Sequence, residues 1–245
     1  MIDTKPMYHD KIVIITGASG GIGHYLAEEF AERGAHVYAV DIVRGAFSHP
    51  RITPYQLDLA DSSQVALFFR NVVQENGKPH ILINNGAIAN FNKSVFEISD
   101  EEFKQVIDVN LCGAFYCARA FLHANQGEEN GRIINIASTR WLQNEAGWDA
   151  YGASKGGLVS LTTSMAVSLR NTPVTVNAIS PGWIECGDYK NLRDVDHLQH
   201  PSGRVGKPDD IVRTALFLCD PANDFINGEN IVVDGGMTKR MFYAE

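Results

Sequence analysis

Along the chain, short β-branched apolar runs alternate with longer stretches in which an apolar residue recurs every three or four positions. The first run, Lys11-Ile12-Val13-Ile14-Ile15-Thr16, is apolar at consecutive positions, the pattern of a strand covered on both faces. Glycines between 17 and 23 interrupt it, and Ile22, Leu26, Ala27 and Phe30 then share one helical face up to Gly34. Residues 36–40 predict a second strand, ended by Asp41, and 52–57 a weaker third. Asp61 is placed to cap a helix carrying Val65, Phe68, Phe69 and Val72. The rest of the chain repeats the scheme, with strands expected over 81–83, 132–136, 174–179 and 231–233 and helices over 100–122, 150–170 and 209–218.

Strands separated by helices form βαβ units, and hence a mostly parallel sheet with helices on both faces. Seven strands in this order, joined by right-handed crossovers, predict an α/β fold: one doubly wound domain over 1–245. Ligands of such sheets bind beyond the carboxyl ends of the strands. The polar residues that close the strands are therefore where chemistry is expected: Thr16, Asp41, Asp58, Asn84, Ser138 and Ser180.

Composition removes several alternatives. With 245 residues, 44% of them hydrophobic, the chain can bury a core without cross-links. The balance of 21 basic against 29 acidic residues, a formal charge of -8, opposes binding to nucleic acid or to an anionic membrane. Cys112, Cys117, Cys186 and Cys219 form no C-x-x-C pair, so neither a zinc site nor a disulfide framework is expected, and no metal. No apolar run approaches the roughly 20 residues of a membrane span. The first eleven residues carry Asp3, Lys5, Asp10 and Lys11 instead of a signal-like apolar stretch, and a soluble cytoplasmic protein is expected.

Gly17-Ala18-Ser19-Gly20-Gly21-Ile22-Gly23 joins the first strand to the first helix. Its spacing is G-x-x-x-G-x-G instead of G-x-G-x-x-G. The physical demands are similar: a tight turn, close backbone approach to a pyrophosphate, and amide N–H groups at a helix start that receive its charge. Asp41 lies about 20 residues further on, where a carboxylate accepts hydrogen bonds from an adenosine ribose. A carboxylate there also repels a 2′-phosphate, by on the order of 4 kcal/mol for unit charges ~4 Å apart before screening. Arg44 is the neighbouring cation that could reverse the choice, and NAD is expected ahead of NADP.

Tyr151-Gly152-Ala153-Ser154-Lys155 sets a phenol and an ammonium at i and i+4, on one helical face. A nearby cation favours the phenolate, so the pair can exchange a proton with a carbonyl or alcohol oxygen while hydride moves elsewhere. Ser138 closes the preceding strand, where its hydroxyl can hold that oxygen. Asn110 sits among apolar neighbours at helical spacing, a poor place for an amide without a purpose.

Taken in order, Thr16-Gly17-x-x-x-Gly21-Ile22-Gly23, Asn84-Asn85-Gly86-Ala87, Asn110, Ser138, Tyr151-x-x-x-Lys155 and Pro181-Gly182 resemble the short-chain dehydrogenases/reductases over nearly the whole chain. The resemblance implies a Rossmann-type catalytic domain and reversible hydride transfer between a nicotinamide and a secondary alcohol or ketone. It implies that Tyr151 is the general acid/base, that Ser138 orients the reacting oxygen, that Lys155 binds the nicotinamide ribose and tunes Tyr151, and that Asn110 holds a water in a proton relay. Implied cofactor contacts are Gly17, Ser19, Gly20, Gly21, Ile22, Gly23 and Asp41, then Asp58 and Leu59 by the adenine. Asn84, Asn85, Gly86 and Ala87 support the cofactor, and Pro181, Gly182, Ile184 and Cys186 lie by the nicotinamide. The helices carrying Asn110 and Tyr151 are implied to pair in a homodimer or homotetramer.

One motif departs from the family. Its usual P-G-x-x-x-T reads here Pro181-Gly182-Trp183-Ile184-Glu185-Cys186, and a thiol is a weaker hydrogen-bond partner than a hydroxyl. Residues 183–205 correspond to the family's substrate-binding segment. They are short and polar, which fits an open pocket or one completed by ordering, with its histidines at the surface. Arg140, Trp141, Glu145, Trp148, Trp183 and Tyr189 are the expected substrate lining. Such a set suits a small alcohol or ketone, for instance a polyol, sugar or hydroxy acid. The rivals are a non-catalytic NAD(H)-binding or sensing protein and a 3-oxoacyl carrier-protein reductase. The latter would go with NADPH and a basic docking patch, both opposed by Asp41 and the net acidity. An epimerase or dehydratase would need a substrate domain that nothing after Val233 is expected to supply.

Overall fold

The computed structural model describes residues 7–89, 92–127 and 130–241. Its strands are β1 (Ile12–Thr16), β2 (His36–Asp41), β3 (Ile52–Gln56), β4 (Ile81–Asn84), β5 (Arg132–Ile136), β6 (Thr175–Pro181) and β7 (Asn230–Val233). They form one sheet in the order β3-β2-β1-β4-β5-β6-β7, and every neighbouring pair is parallel. The helices are α1 (Gly21–Glu32), α2 (Ser62–Asn76), α3 (Asp100–Ile107), α4 (Gly113–Asn125), α5 (Asp149–Ser168), α6 (Asp194–His197) and α7 (Pro208–Cys219).

The continuous apolar runs are explained by two cores. Successive strand side chains point to opposite faces. Val13 and Ile15 therefore join α1 and α7 in one core, while Ile12 and Ile14 join α2, α4 and Met165 of α5 in the other. The strand order reverses between β1 and β4. That switch leaves a crevice beyond their carboxyl ends, the position at which doubly wound sheets bind nucleotides.

The helix expected over 100–122 begins with a capping box, Ser99 accepting from the Glu102 N–H at 3.2 Å and Glu102 from the Ser99 N–H at 3.0 Å. It is not continuous. One π turn, Asp108–Cys112, separates α3 from α4, with buried Asn110 at its centre, and α4 runs on to Asn125. The widened turn lets the Asn110 amide reach backbone outside the helix, a use typical of π turns. Immediately after it, Gly113 lies against Leu59: a Cβ there would stand 2.9 Å from Leu59 Cβ. Helix α6 was not expected, because four residues carry no readable apolar period. Among the described residues, no helix is long and apolar enough to cross a membrane.

Candidate active site

The glycine turn is fixed from below by the exit of β4. Gly17 has φ +64°, and a Cβ on it would meet Gly86 Cα at 2.6 Å. Asn85 Nδ2 donates to the carbonyls of Thr16 (3.1 Å) and Gly17 (2.9 Å), while Thr16 Oγ1 accepts from the N–H groups of Asn85 (3.1 Å) and Gly86 (3.0 Å). Asn84 acts on the other side, donating to Asn135 Oδ1 at 2.9 Å and to the Ala114 carbonyl at 3.2 Å. Helix α1 has Gly20 as N-cap, no side-chain cap and no acidic residue in its first turn. A Cβ at Gly20 would meet nothing within 4 Å. The first-turn amides thus face open space without an internal acceptor, the donor set a pyrophosphate requires. Asp41 is held at the far end: its carboxylate accepts from the N–H of Ser19 at 2.9 Å and of Val43 at 3.4 Å, and Ser19 Oγ donates to the Val43 carbonyl at 2.7 Å.

A cleft of about 740 Å3 runs along the strand ends from Asp41 to Tyr151. Gly17, Gly20, Gly21, Ile22, Asp41, Asp58, Leu59, Asn85, Gly86, Ala87, Tyr151, Lys155, Pro181, Gly182, Ile184 and Cys186 line it. Ser19, Gly23 and Asn84 stand behind the lining and shape it; a Cβ at Gly23 would fall 2.1 Å from the Gly17 carbonyl oxygen. Ile42, Ile88, Ala89, Gln105 and Val109 line the cleft as well and were not singled out from the sequence. Gln105 and Val109 lie four residues apart, so one helical face toward the fourth strand was the available signal.

At the other end, Ser138, Tyr151 and Lys155 line the cleft together, with the Ser138 hydroxyl close enough to the phenol to favour its ionised form. Lys155 is buried, donates from Nζ to the Ile136 carbonyl at 2.7 Å and lies 5.6 Å from the centre of the Tyr151 ring. Burial lowers Lys155 to about 8. Burial also raises the Tyr151 phenol, opposed by its hydrogen bond to Ser138 and by the charge of Arg140. The expectation that Lys155 depresses the phenol is thus corrected: desolvation dominates both groups, and the cation that favours the phenolate is Arg140. Asn110 Oδ1 accepts from the Ile88 N–H at 2.7 Å, and Nδ2 donates to the Ile88 carbonyl (3.2 Å) and to Ser154 Oγ (3.0 Å). Ser154 Oγ in turn donates to the Tyr151 carbonyl at 2.7 Å, so Asn110 braces the turn that carries the phenol.

The expected substrate lining divides. Arg140, Glu145 and Trp148 cluster beside Tyr151, and Trp141 is exposed on the same loop. Trp183 instead lines a second cavity of about 470 Å3 between α7 and β7. Tyr189 donates to the Val205 carbonyl at 2.8 Å, with its ring under Lys207 at 4.5 Å. None of the six expected residues lines the large cleft itself, contrary to expectation: Arg140, Trp141, Glu145 and Trp148 stand on the loop beside its Tyr151 end, and Trp183 and Tyr189 are engaged elsewhere. The 183–205 segment folds on itself through the Arg193–Asp196 ion pair (2.7 Å). His200 is buried, its Nδ1 3.2 Å from the Asp196 carbonyl, which corrects the surface placement expected for it; His197 is half-buried, its Nδ1 accepting from the Val205 N–H at 3.1 Å.

A family model described as Enoyl-(Acyl carrier protein) reductase matches residues 17–238. The chain belongs to the short-chain dehydrogenase/reductase family. An uncharacterized oxidoreductase of Thermotoga maritima is 41% identical over 257 residues, spanning 98% of this chain and 100% of that protein. The 3-oxoacyl-acyl-carrier-protein reductase FabG of Thermotoga maritima is 32% identical over 93% of this chain and 97% of its own length. The structure of 4-hydroxyisoleucine dehydrogenase complexed with NADH superposes with a TM-score of 0.85 at 35% identity, covering 94% of this chain and 100% of that one.

As a short-chain dehydrogenase/reductase, the protein is an oxidoreductase that uses a nicotinamide cofactor, and the uncapped glycine turn and the cleft fit that group. The buried ammonium also has a consequence for stability. Lys155 titrates near 8 when folded but near 10.4 when unfolded, so between these values the unfolded chain binds more protons and stability rises with pH. The rise is on the order of 3 kcal/mol. Lys155→Met is expected to abolish it, as read from Tm measured across that pH range without cofactor. An unchanged pH dependence would mean that Lys155 is not the group responsible.

Proposed function

We propose that the protein is an NAD(H)-dependent dehydrogenase/reductase of secondary alcohols and ketones, with Tyr151 as its acid and base. The observation that carries this reading is the convergence of Ser138, Tyr151 and a buried Lys155 on the end of the cleft opposite the glycine turn. Bound there, the nicotinamide supplies a ring carbon that accepts or gives hydride. The amides at Gly20 and Gly21 would hold the pyrophosphate, Asp41, Asp58 and Leu59 the adenosine end, and Lys155 the inner ribose. Ser138 holds the substrate oxygen. Tyr151 gives its proton to that oxygen when a ketone is reduced and takes it back when an alcohol is oxidised. Asn110 positions the turn through Ser154.

Asp41 supports NAD, as does the relative solved with NADH. Screening polyols, sugars, hydroxy acids, steroids and acyl thioesters by NADH absorbance tests the reading. Turnover is expected on one class. Tight NADH binding with no turnover on any would favour the sensing alternative. The relative named as a carrier-protein reductase keeps a second reading, reduction of a 3-oxoacyl thioester, which the thioester arm separates.

Cys186 lines the cleft with Sγ 3.8 Å from the Ile184 carbonyl, a weak contact. Cys186→Thr is expected to tighten NAD binding by about 0.5–1.5 kcal/mol, one ordinary hydrogen bond. An unchanged Kd by titration would mean that backbone groups already satisfy the carboxamide.

A further inference from the structure

The loop after Ser138 holds a guanidinium in a fixed pose beside the reacting hydroxyls. The Arg140 side chain lies 4.3 Å over the Trp148 ring, and Trp148 meets the Tyr151 ring edge-on at 5.7 Å, with 76° between the planes. The Arg140 backbone N–H donates to Ser138 Oγ at 3.2 Å, so the residue that carries the cation also touches the hydroxyl at the reacting position. The side chain makes one hydrogen bond among the described residues, from Nη2 to Glu145 Oε2 at 2.6 Å. A guanidinium has five N–H donors in a planar fork, which leaves four for another acceptor.

The two members of that ion pair differ in exposure. The Arg140 side chain is 23% exposed and Glu145 70%. The cation is the anchored partner and the carboxylate the replaceable one, because a solvated carboxylate contributes little to an ion pair. The other charged groups near this end are committed elsewhere or stand further out. Lys155 is buried on the Ile136 carbonyl, and Glu102 across the loop is paired with Lys93. Asp149 is exposed at the start of α5, and Glu185 turns back to the Gly187 N–H at 2.7 Å.

We propose that Arg140 is the specificity residue of this site, and that the substrate is a hydroxy acid or oxo acid whose carboxylate displaces Glu145 from the guanidinium. The proposal rests on the reading of Ser138 and Tyr151 as the reacting end. A two-pronged fork suits a carboxylate better than a point charge does. The carboxylate is expected within a few bonds of the reacting carbon, since one ring, Trp148, touches both the guanidinium and the Tyr151 ring. In the oxidative direction the carbinol C–H hydrogen leaves as hydride to the nicotinamide ring, and the O–H proton goes to Tyr151. An oxo acid, NADH and a proton are the products. The carboxylate takes no part beyond binding.

The test compares 2-, 3- and 4-oxo acids with their methyl esters and with a 3-oxoacyl thioester, in wild-type, Arg140→Gln, Arg140→Lys and Glu145→Gln proteins. The readout is the ratio of kcat/KM on acid to that on the matching ester. The wild-type protein is expected to favour one acid by about tenfold to a hundredfold, the usual worth of a charge-assisted hydrogen bond. Arg140→Gln is expected to erase that ratio, mainly through KM. Arg140→Lys should restore part of it, and Glu145→Gln should lower KM for the acid. A wild-type preference for esters or the thioester would overturn the inference while leaving the oxidoreductase reading intact. So would an Arg140→Gln loss shared equally by acid and ester. Failure of the oxidoreductase reading shows separately, as no nicotinamide-dependent turnover of any acid, ester or thioester by the wild-type protein.

Discussion

Tyr151→Phe is expected to lower turnover by roughly 10²–10⁴, the usual worth of a positioned acid or base. The phenyl ring keeps the edge-on contact with Trp148, so the fold at the start of α5 should survive. What disappears is the hydroxyl beside Ser138. NADH binding should be nearly unchanged, because the glycine turn, Asp41 and Lys155 are untouched. Burial raises the phenol of Tyr151, so at neutral pH the group is protonated and ready to act as an acid on a ketone. Alcohol oxidation, which needs the phenolate, should therefore accelerate as pH rises, and that acceleration should vanish in the variant. Initial rates in both directions, with Kd for NADH from fluorescence titration, check this. Unchanged turnover would remove Tyr151 from the mechanism.

The second large effect concerns the cofactor's far end. The wild-type protein is expected to use NADH over NADPH by roughly fivefold to thirtyfold in kcat/KM. The bare repulsion of a 2′-phosphate by Asp41 is on the order of 4 kcal/mol at ~4 Å, and exposure and salt reduce it to about 1–2 kcal/mol. Asp41→Asn keeps an oxygen to accept the Ser19 N–H and removes the charge, so the turn should hold while the preference collapses. Added salt should narrow the wild-type ratio and barely change that of the variant. A tenfold preference of the wild-type protein for NADPH would show that Arg44 governs the choice.

The layering of the fold was legible because buried parallel strands write themselves as unbroken apolar runs. Ile12 to Ile15 supply both cores at once, Val13 and Ile15 on one face and Ile12 and Ile14 on the other. The order of the site residues was legible for a related reason: chemistry in this architecture collects where strands end, and Thr16, Asp41, Asn84 and Ser138 all close strands or directly follow them. The π turn at Asn110 was not legible, because inserting one residue into a helix leaves the flanking apolar periodicity almost intact. Burial was also invisible in the sequence. The spacing of Tyr151 and Lys155 suggests a cation lowering a neighbour's pKa, yet desolvation acts on both side chains and raises the phenol, with Arg140 as the cation that opposes it. The 183–205 segment misled for a third reason. Its polar composition resembles a solvated lid, but Arg193 pairs with the Asp196 carboxylate, while Tyr189 and His200 turn inward onto the carbonyls of Val205 and Asp196.

The most direct test of the central claim is isotopic. NADH carrying deuterium at C4 would be incubated with the ketone found in the screen, and the alcohol product weighed by mass spectrometry. One deuterium is expected on the carbinol carbon, delivered from one face of C4 only, in amounts that fall with turnover in Tyr151→Phe. A reduced product without the label from cofactor deuterated on either face of C4, or label transfer undiminished when the phenol is gone, would contradict the account.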